Sequence, residues 1–186
     1  FEEVTYNQDK QEMLRQTKEL IDAGCQNIAE ASFSVDKLFC SVDILHRNGD
    51  GFDIVEVKSS TQITDIYLED MAFQYYVLAK AGINVKRIYN LHINNQYVRQ
   101  GELDIHALFV LEDCTEKCLS RQHYIKANIE NIVAVAEQTE EPQYELDEYC
   151  DSPYECAYKG YCGRGLPEDS IFNVHGLKAA KKYEYY

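Results

Sequence analysis

The stretch from Leu38 to Lys58 constrains the fold of this chain more than any other segment. Two runs with the residue alternation of β-strands flank the tetrapeptide Asn48-Gly49-Asp50-Gly51. This composition is a strong signal for a tight hairpin turn. If the two central residues of the tetrapeptide form the turn, the register places Asp43 directly opposite Glu56. The sequence therefore predicts two carboxylates that face each other on adjacent strands.

The second strand of this hairpin carries a lysine beside the glutamate. Successive side chains alternate between the faces of a strand, so we expect Glu56 and Lys58 on one face and Val55 and Val57 on the other. This apolar run is expected to be buried, where ionisable groups are rarely placed without a partner or a function. Because opposed like charges cost roughly 0.2–1 kcal/mol, the pair formed by Asp43 and Glu56 needs a compensating cation.

Two cations can compensate the carboxylates. Lys58 is one, and a divalent metal ion is the other, because carboxylates, water and phosphate oxygens are the usual ligands of Mg²⁺. The hypothesis that follows is a Mg²⁺ or Mn²⁺ site at Asp43 and Glu56, with Lys58 orienting or deprotonating the attacking water. The alternative is an exposed, salt-bridged hairpin, since so short a motif also occurs by chance.

The rest of the pattern predicts an α/β (α+β) fold. We expect a helix over 9–23, a strand over 27–33, a helix over 65–81 and a strand over 85–93. A short extended piece at 97–99 and a strand over 108–111 follow, and then one long helix, capped by Asp113 or Thr115, that ends before Pro142. This order indicates a mixed central β-sheet flanked by helices.

The segment from residue 145 to residue 186 differs from the core predicted over 1–144. It is rich in Tyr and Cys and has no clear period, so we expect a loop-dominated appendage. Cys150, Cys156 and Cys162 follow one another with five residues between successive members. Structural zinc and iron–sulfur clusters usually take four protein ligands, so a fourth is missing from this set. Three incidental thiols are the alternative.

Composition limits the classes of partner and compartment. A net charge of −14 argues against a broad basic surface that wraps nucleic acid. No apolar run approaches the roughly 20 residues that span a bilayer, which predicts a soluble protein without a membrane partner. Seven cysteines without a secretory signal favour a cytoplasmic setting. The start, which lacks Met, suggests a piece of a longer protein.

Three segments resemble the motifs of the RecB-like branch of the PD-(D/E)XK nucleases. They are Ser41-Val42-Asp43-Ile44-Leu45, Val55-Glu56-Val57-Lys58-Ser59-Ser60-Thr61 and Phe73-Gln74-Tyr75-Tyr76. Within that superfamily the chain is similar to the CRISPR-associated RecB-like exonucleases and to a bacterial family with a Pro-Tyr-Glu-Cys segment near its C-terminus. The resemblance implies a restriction-endonuclease-like fold, metal ligation by Asp43 and Glu56, a catalytic Lys58 and a supporting Gln74.

The same resemblance implies a substrate and a second cofactor. The substrate would be DNA, with single-stranded ends attacked by an exonuclease. A 4Fe-4S cluster would be bound by Cys150, Cys156 and Cys162, with a fourth cysteine upstream of Phe1 or with Cys25, Cys40 or Cys114.

An alternative is a catalytically inactive nuclease-fold module in a larger assembly, which is favoured by the missing first family motif and by the net charge of −14. Leu78 stands where the family often has Tyr, and no early His is present. Glu30 is a candidate substitute for that His, but we expect it to be a strand residue near the site rather than a ligand.

Overall fold

The computed structural model describes residues 1–186, which form six strands and seven α-helices. The strands are β1 (Glu2–Glu3), β2 (Asn27–Val35), β3 (Leu38–Asn48), β4 (Gly51–Lys58), β5 (Val85–Ile93) and β6 (Phe109–Asp113). The helices are α1 (Lys10–Asp22), α2 (Asp65–Lys80), α3 (Ile105–Leu108), α4 (Thr115–Leu119), α5 (Gln122–Ala136), α6 (Lys159–Cys162) and α7 (Ala179–Tyr185). Three single turns of 3₁₀-helix lie at Glu148–Cys150, Gly163–Gly165 and Ile171–Asn173.

All six strands belong to one sheet in the order β1-β2-β3-β4-β5-β6. The pairs β1–β2 and β4–β5 are parallel, and the other three pairs are antiparallel. A parallel pair needs a crossover connection, and α2 provides it between β4 and β5. The predicted α/β class, with a mixed sheet and flanking helices, is confirmed at this level.

The hairpin between β3 and β4 has the predicted register. Leu45 pairs with Ile54, and Asn48 pairs with Gly51, so the turn consists of the two residues between them. Gly51 is forced to be glycine, because a Cβ there would lie 2.3 Å from the carbonyl oxygen of Asn84. The ladder stops one pair short of Asp43 and Glu56.

The first two predicted helices are confirmed. The carboxylate of Asp9 accepts a hydrogen bond from the amide of Gln11 at 3.0 Å and caps α1. Gly24 and Gly82 follow α1 and α2 with φ of +78° and +81°, the left-handed conformation that commonly ends helices.

The prediction of one long helix after residue 113 is wrong. The chain forms α4 and α5 with a break at Ser120–Arg121. The break lets the side chain of Arg121 reach Asp65 at 2.7 Å, and it lets Gln122 donate to the carbonyl oxygens of Ala72 and Cys118, each at 3.0 Å. Contacts with α2 therefore override the helical period of the sequence.

The structure also differs from the prediction at three smaller places. Leu108 belongs to α3 rather than to a strand, because Asp104 caps that helix through the amides of His106 and Ala107. Residues 97–99 form no strand, and β1 was not predicted.

A single apolar cluster joins the sheet to α1, α2, α4 and α5. Its fully buried members include Ile28, Leu45, Ile54, Met71, Leu78 and Ile88. Cys118 is also fully buried. The core thus fixes β3, β4 and α2 against one another, which are the elements that carry the predicted site.

The chain divides into two compact units, Phe1–Ile132 and Val133–Tyr186. The division falls within α5, whereas composition placed a boundary after residue 144. The second unit has its own small apolar cluster of Leu146, Cys150 and Tyr183, with Leu166 and Phe172 packed against it. None of the helices combines the length and the apolar character that crossing a membrane requires.

Candidate active site

Glu56 is a buried carboxylate with a donor on each oxygen. It is 5% exposed and lies on the side of β4 that faces α2. Its Oε1 accepts a hydrogen bond from Lys58 Nζ at 2.6 Å, and its Oε2 accepts one from Gln74 Nε2 at 2.8 Å. Val57, on the opposite side of the strand, is 39% exposed, so the apolar run is buried only on the side that carries Glu56.

Asp43 joins this site from the neighbouring strand. The ladder between β3 and β4 ends at the pair Ile44–Val55, and the Oδ2 of Asp43 accepts a hydrogen bond from the next free amide of β4, that of Val57, at 2.7 Å. Its carboxylate is close enough to Glu56 for its charge to raise the pKa of that residue. The hairpin therefore brings both predicted carboxylates together.

Lys58 is held as a cation. Its Nζ contacts Asp70 Oδ2 at 2.8 Å as well as Glu56, and it lies 5.3 Å from the centre of the Tyr67 ring. Burial alone would lower the pKa of this lysine, but its hydrogen bonds to Asp70 and Glu56 outweigh burial and raise the pKa well above its ordinary value. An ammonium this stable suits charge neutralisation and water orientation better than it suits proton abstraction.

The electrostatics of Glu56 favour the binding of a positive charge. Burial is the main cause that raises its pKa, and the nearby charges of Asp43 and Asp70 raise it further. The hydrogen bonds from Lys58 and Gln74 oppose this rise only in part. A second cation beside Glu56 would stabilise the charged carboxylate.

Glu30 lies beside this pair, as expected of a strand residue near the site. It is on β2, between the ladder pairs Ala29–Ile44 and Ala31–Val42 that enclose Asp43 on β3. Its φ of +55° is uncommon for a residue other than glycine. Burial raises the pKa of Glu30 first of all, and the charges of Asp43 and Glu3 raise it further.

Sequence reasoning missed three polar residues around the predicted four. Asp70 lies one helical turn before Gln74 on α2, a spacing that placed both on one face. Asn90 and His92 lie on β5 in register with Glu56 and Lys58, and both are buried. Asn90 Nδ2 donates to the carbonyl oxygen of Glu56 at 3.4 Å, and His92 Nδ1 lies 3.1 Å from Asn90 Oδ1. The available signal was the alternation of Asn90 and His92 with apolar residues in the second half of this strand.

No protein-family model matches the sequence, and a search of curated proteins found no match. The likeness to RecB-like nucleases therefore stays a prediction. What the site can do is argued below from its own geometry.

The donor set fits a hard divalent ion whose coordination shell is completed by oxygens from outside these side chains. No group of three or more His, Cys, Asp or Glu side chains converges closely enough to hold a metal. Mg²⁺ and Mn²⁺, however, are typically bound by one or two carboxylates, with water, carbonyl and phosphate oxygens completing the shell. Asp43 and Glu56 supply two such ligands. The Oε1 of Gln74 is buried beside them without a hydrogen-bond donor, a polar atom of the kind that an ion or a water satisfies.

The cysteines of the second unit are free thiols. Cys150 is buried, Cys156 is half-buried and Cys162 is exposed. The amide of Cys156 donates to the carbonyl oxygen of Cys150 at 2.8 Å, but the three thiols do not form a ligand group. Their residue type fits an iron–sulfur cluster, for which they would supply three of the four thiolates.

Two of the alternatives for a fourth cluster ligand are poorly suited to that role. Cys40 and Cys114 are buried in the core of the first unit. Burial raises the pKa of both thiols, that of Cys40 to about 12, which disfavours the thiolate that binds metal. Cys25 is half-buried.

Proposed function

We propose that this chain is the core of a nuclease that hydrolyses phosphodiester bonds in DNA with the help of Mg²⁺ or Mn²⁺. One observation carries the proposal: Asp43 and Glu56 converge from adjacent strands next to an ammonium that is locked in its charged form. Metal-assisted hydrolysis of a phosphodiester needs negative ligands for the ion and a fixed positive charge for the phosphate.

Each residue has a role in this chemistry. Asp43 and Glu56 would hold the ion, which when bound polarises the phosphate and lowers the pKa of a bound water. Gln74 fixes the orientation of Glu56 through its amide. Lys58 neutralises negative charge that develops on the phosphate and orients the attacking water. Asp70 keeps the ammonium of Lys58 in place and charged.

Most of the remaining parts of the proposal rest on the resemblance. It favours exonuclease action on single-stranded ends and a restriction-endonuclease-like fold. It also favours a 4Fe-4S cluster on Cys150, Cys156 and Cys162. The cytoplasmic setting rests instead on the seven cysteines without a secretory signal. The net charge of −14 requires that DNA be bound at a local site rather than across a broad surface.

An inactive nuclease-fold module is the second candidate. The observation that favours it is that Lys58 forms ion pairs with both Glu56 and Asp70. These ion pairs already compensate the carboxylates in the absence of a metal ion. Such a protein would keep the arrangement as a structural network. A metal ion that binds without any cleavage would favour this candidate.

The test is cleavage of end-labelled DNA by the purified chain with Mg²⁺ or Mn²⁺. We expect Asp43→Asn and Glu56→Gln to lose activity by about 10²-fold or more, the order found when one charge-stabilising group is removed from an active site. The matched control is Asp36→Asn, which changes an exposed carboxylate paired with Lys80. Circular dichroism checks that all variants fold. Cleavage at the wild-type rate by both site variants would overturn the proposal.

A further inference from the structure

A cavity of about 280 Å³ opens beside Glu30. It is lined by Glu3, Val4, Tyr6, Lys10, Met13, Glu30 and Ser41. Glu30 connects it to the candidate active site, since it lies on β2 between the pairs Ala29–Ile44 and Ala31–Val42, which enclose Asp43 on β3. A ligand that entered this cavity would therefore lie next to the proposed metal ligands.

One wall of the cavity combines the aromatic ring of Tyr6 with the ammonium of Lys10, which also lies over the nearby ring of Phe39. The Nζ of Lys10 lies 5.2 Å from the centre of the Tyr6 ring and 4.7 Å from the centre of the Phe39 ring. Tyr6 is 73% exposed. An aromatic face next to an ammonium is the combination that stacks a nucleobase and attracts its phosphate.

Stability alone does not account for Lys10. It lies in the first turn of α1, where the helix macrodipole disfavours positive charge. Other lysines and arginines of this helix, Arg15 and Lys18, are paired with carboxylates, whereas Lys10 contacts only the two rings. Its ammonium is thus available to an anionic group outside the chain.

The two carboxylates of the cavity select the part of a nucleotide that can enter. Glu3 and Glu30 repel a phosphate, but they accept hydrogen bonds from the exocyclic amino groups of adenine, cytosine or guanine. The volume lies just below the range of roughly 300–1,000 Å³ that is typical of ligand pockets, which fits a single base. A base would enter, and its backbone phosphate would stay at the mouth near Lys10.

We infer that this cavity binds one base of a single-stranded nucleic acid, with Tyr6 stacking on the base and Lys10 holding the adjacent phosphate. The inference rests on the proposed function, because the bound strand is the one that the neighbouring site would cleave. A base that is paired and stacked within a duplex cannot enter, so the cavity selects single strands.

The test is fluorescence anisotropy with 5′-labelled 12-nucleotide single strands of mixed sequence. Ca²⁺ replaces Mg²⁺ because it takes the same type of oxygen ligand, and gel analysis identifies samples in which the DNA stays intact. We expect Tyr6→Ala and Lys10→Ala each to weaken binding by at least about fivefold, the loss of one stacked base. Tyr6→Phe should keep wild-type binding. Lys18→Ala is the matched control on the same helix and should change nothing.

Two outcomes would overturn the inference. One is binding of Tyr6→Ala and Lys10→Ala within twofold of wild type, and the other is the absence of any single-strand binding by the wild-type chain. The cleavage assay is read separately. If both variants cleave at the wild-type rate with an unchanged KM, the base pocket is contradicted and the nuclease proposal is not. If single-strand binding depends on Tyr6 but the wild-type chain does not cleave DNA, the nuclease proposal is contradicted and the pocket is not.

Discussion

At the residue scale, the interaction between Glu56 and Lys58 dominates the energetics of the site. Glu56 is a buried acid whose charged form burial disfavours, and Lys58 supplies one of its two donors. Removing one member of a buried ion pair leaves an uncompensated charge, which costs far more than replacing both members. We therefore expect Lys58 to contribute to the stability of the fold as well as to the proposed chemistry.

A double-mutant cycle tests this coupling. We expect Lys58→Met to lower the free energy of unfolding by about 3 kcal/mol, because Glu56 then keeps a buried charge with one donor fewer. Adding Glu56→Gln should restore a large part of that loss, since the charge disappears while the shape remains. Urea denaturation measures both. Additive losses in the double variant would show that the two side chains do not interact.

Thiol reactivity tests the burial of individual cysteines. Burial raises the pKa of Cys40 and of Cys118 to about 12, so both stay protonated at pH 8. We expect iodoacetamide to label the exposed Cys162 first in the native protein and to leave Cys40 and Cys118 unlabelled until urea is added. Peptide mass spectrometry after timed quenching measures this order. Equal rates for Cys40 and Cys162 would contradict the described core.

At the scale of elements, the β3–β4 hairpin was predictable and its surroundings were not. Turn composition and strand alternation placed Asp43, Glu56 and Lys58 correctly, because a hairpin is a local structure. Asp70 and Asn90 reach the site through the packing of α2 and β5, which no local pattern encodes. The break between α4 and α5 has the same cause, since it depends on contacts with α2.

Glycine substitutions in the turn test how tightly the hairpin is fixed. A Cβ at Gly51 would lie 2.3 Å from the backbone oxygen of Asn84, and that oxygen also accepts the amide of Phe52. We expect Gly51→Ala to lower the free energy of unfolding by more than about 2 kcal/mol. Gly49→Ala, with φ of +61° and open space around it, should cost about 1 kcal/mol. Equal losses in thermal or urea unfolding would contradict the close contact.

In the second unit, Asp151 connects the cysteine-bearing loop to α7. Its carboxylate accepts hydrogen bonds from Lys159 Nζ at 2.5 Å and from the Tyr183 hydroxyl at 2.7 Å. The hydrogen bond from Lys159 is the largest cause that lowers the pKa of Asp151 below its ordinary value of 3.8, and the hydrogen bond from Tyr183 lowers it further. A lowered acid pKa stabilises the folded unit above pH 3.8, and the contribution is lost as the pH falls through the lowered value.

Hydrogen exchange can test this pH dependence. At pH 7 we expect peptides from residues 147–186 to exchange faster in Asp151→Asn than in the wild type. The difference should shrink as the pH falls below 3.8 and through the lowered pKa of Asp151, because the carboxyl then becomes protonated in the folded as well as in the unfolded wild type. A difference that persists unchanged at acid pH would show that the charge of Asp151 is not what stabilises this unit.

At the scale of the whole molecule, composition gave the outline of the chain, and the domain boundary that it indicated stays a prediction. The change in composition after residue 144 marks the Tyr- and Cys-rich tail, yet the compact units divide within α5. Composition cannot locate such a boundary, because a helix continues through it. Under the proposed function, the charge of −14 would allow only local contacts with nucleic acid. The cations available for such contacts are Lys58 in the candidate active site and Lys10 in the cavity that Glu30 lines.

The central claim is that Asp43 and Glu56 together hold a divalent ion, and Mn²⁺ binding tests it most directly. Electron paramagnetic resonance follows the signal of free Mn²⁺ as protein is added, with no DNA and no turnover needed. We expect the wild type and Asp36→Asn to remove one Mn²⁺ per chain from solution, and Asp43→Asn and Glu56→Gln to leave the signal unchanged. Equal binding by all four proteins, or none by the wild type, would contradict the claim.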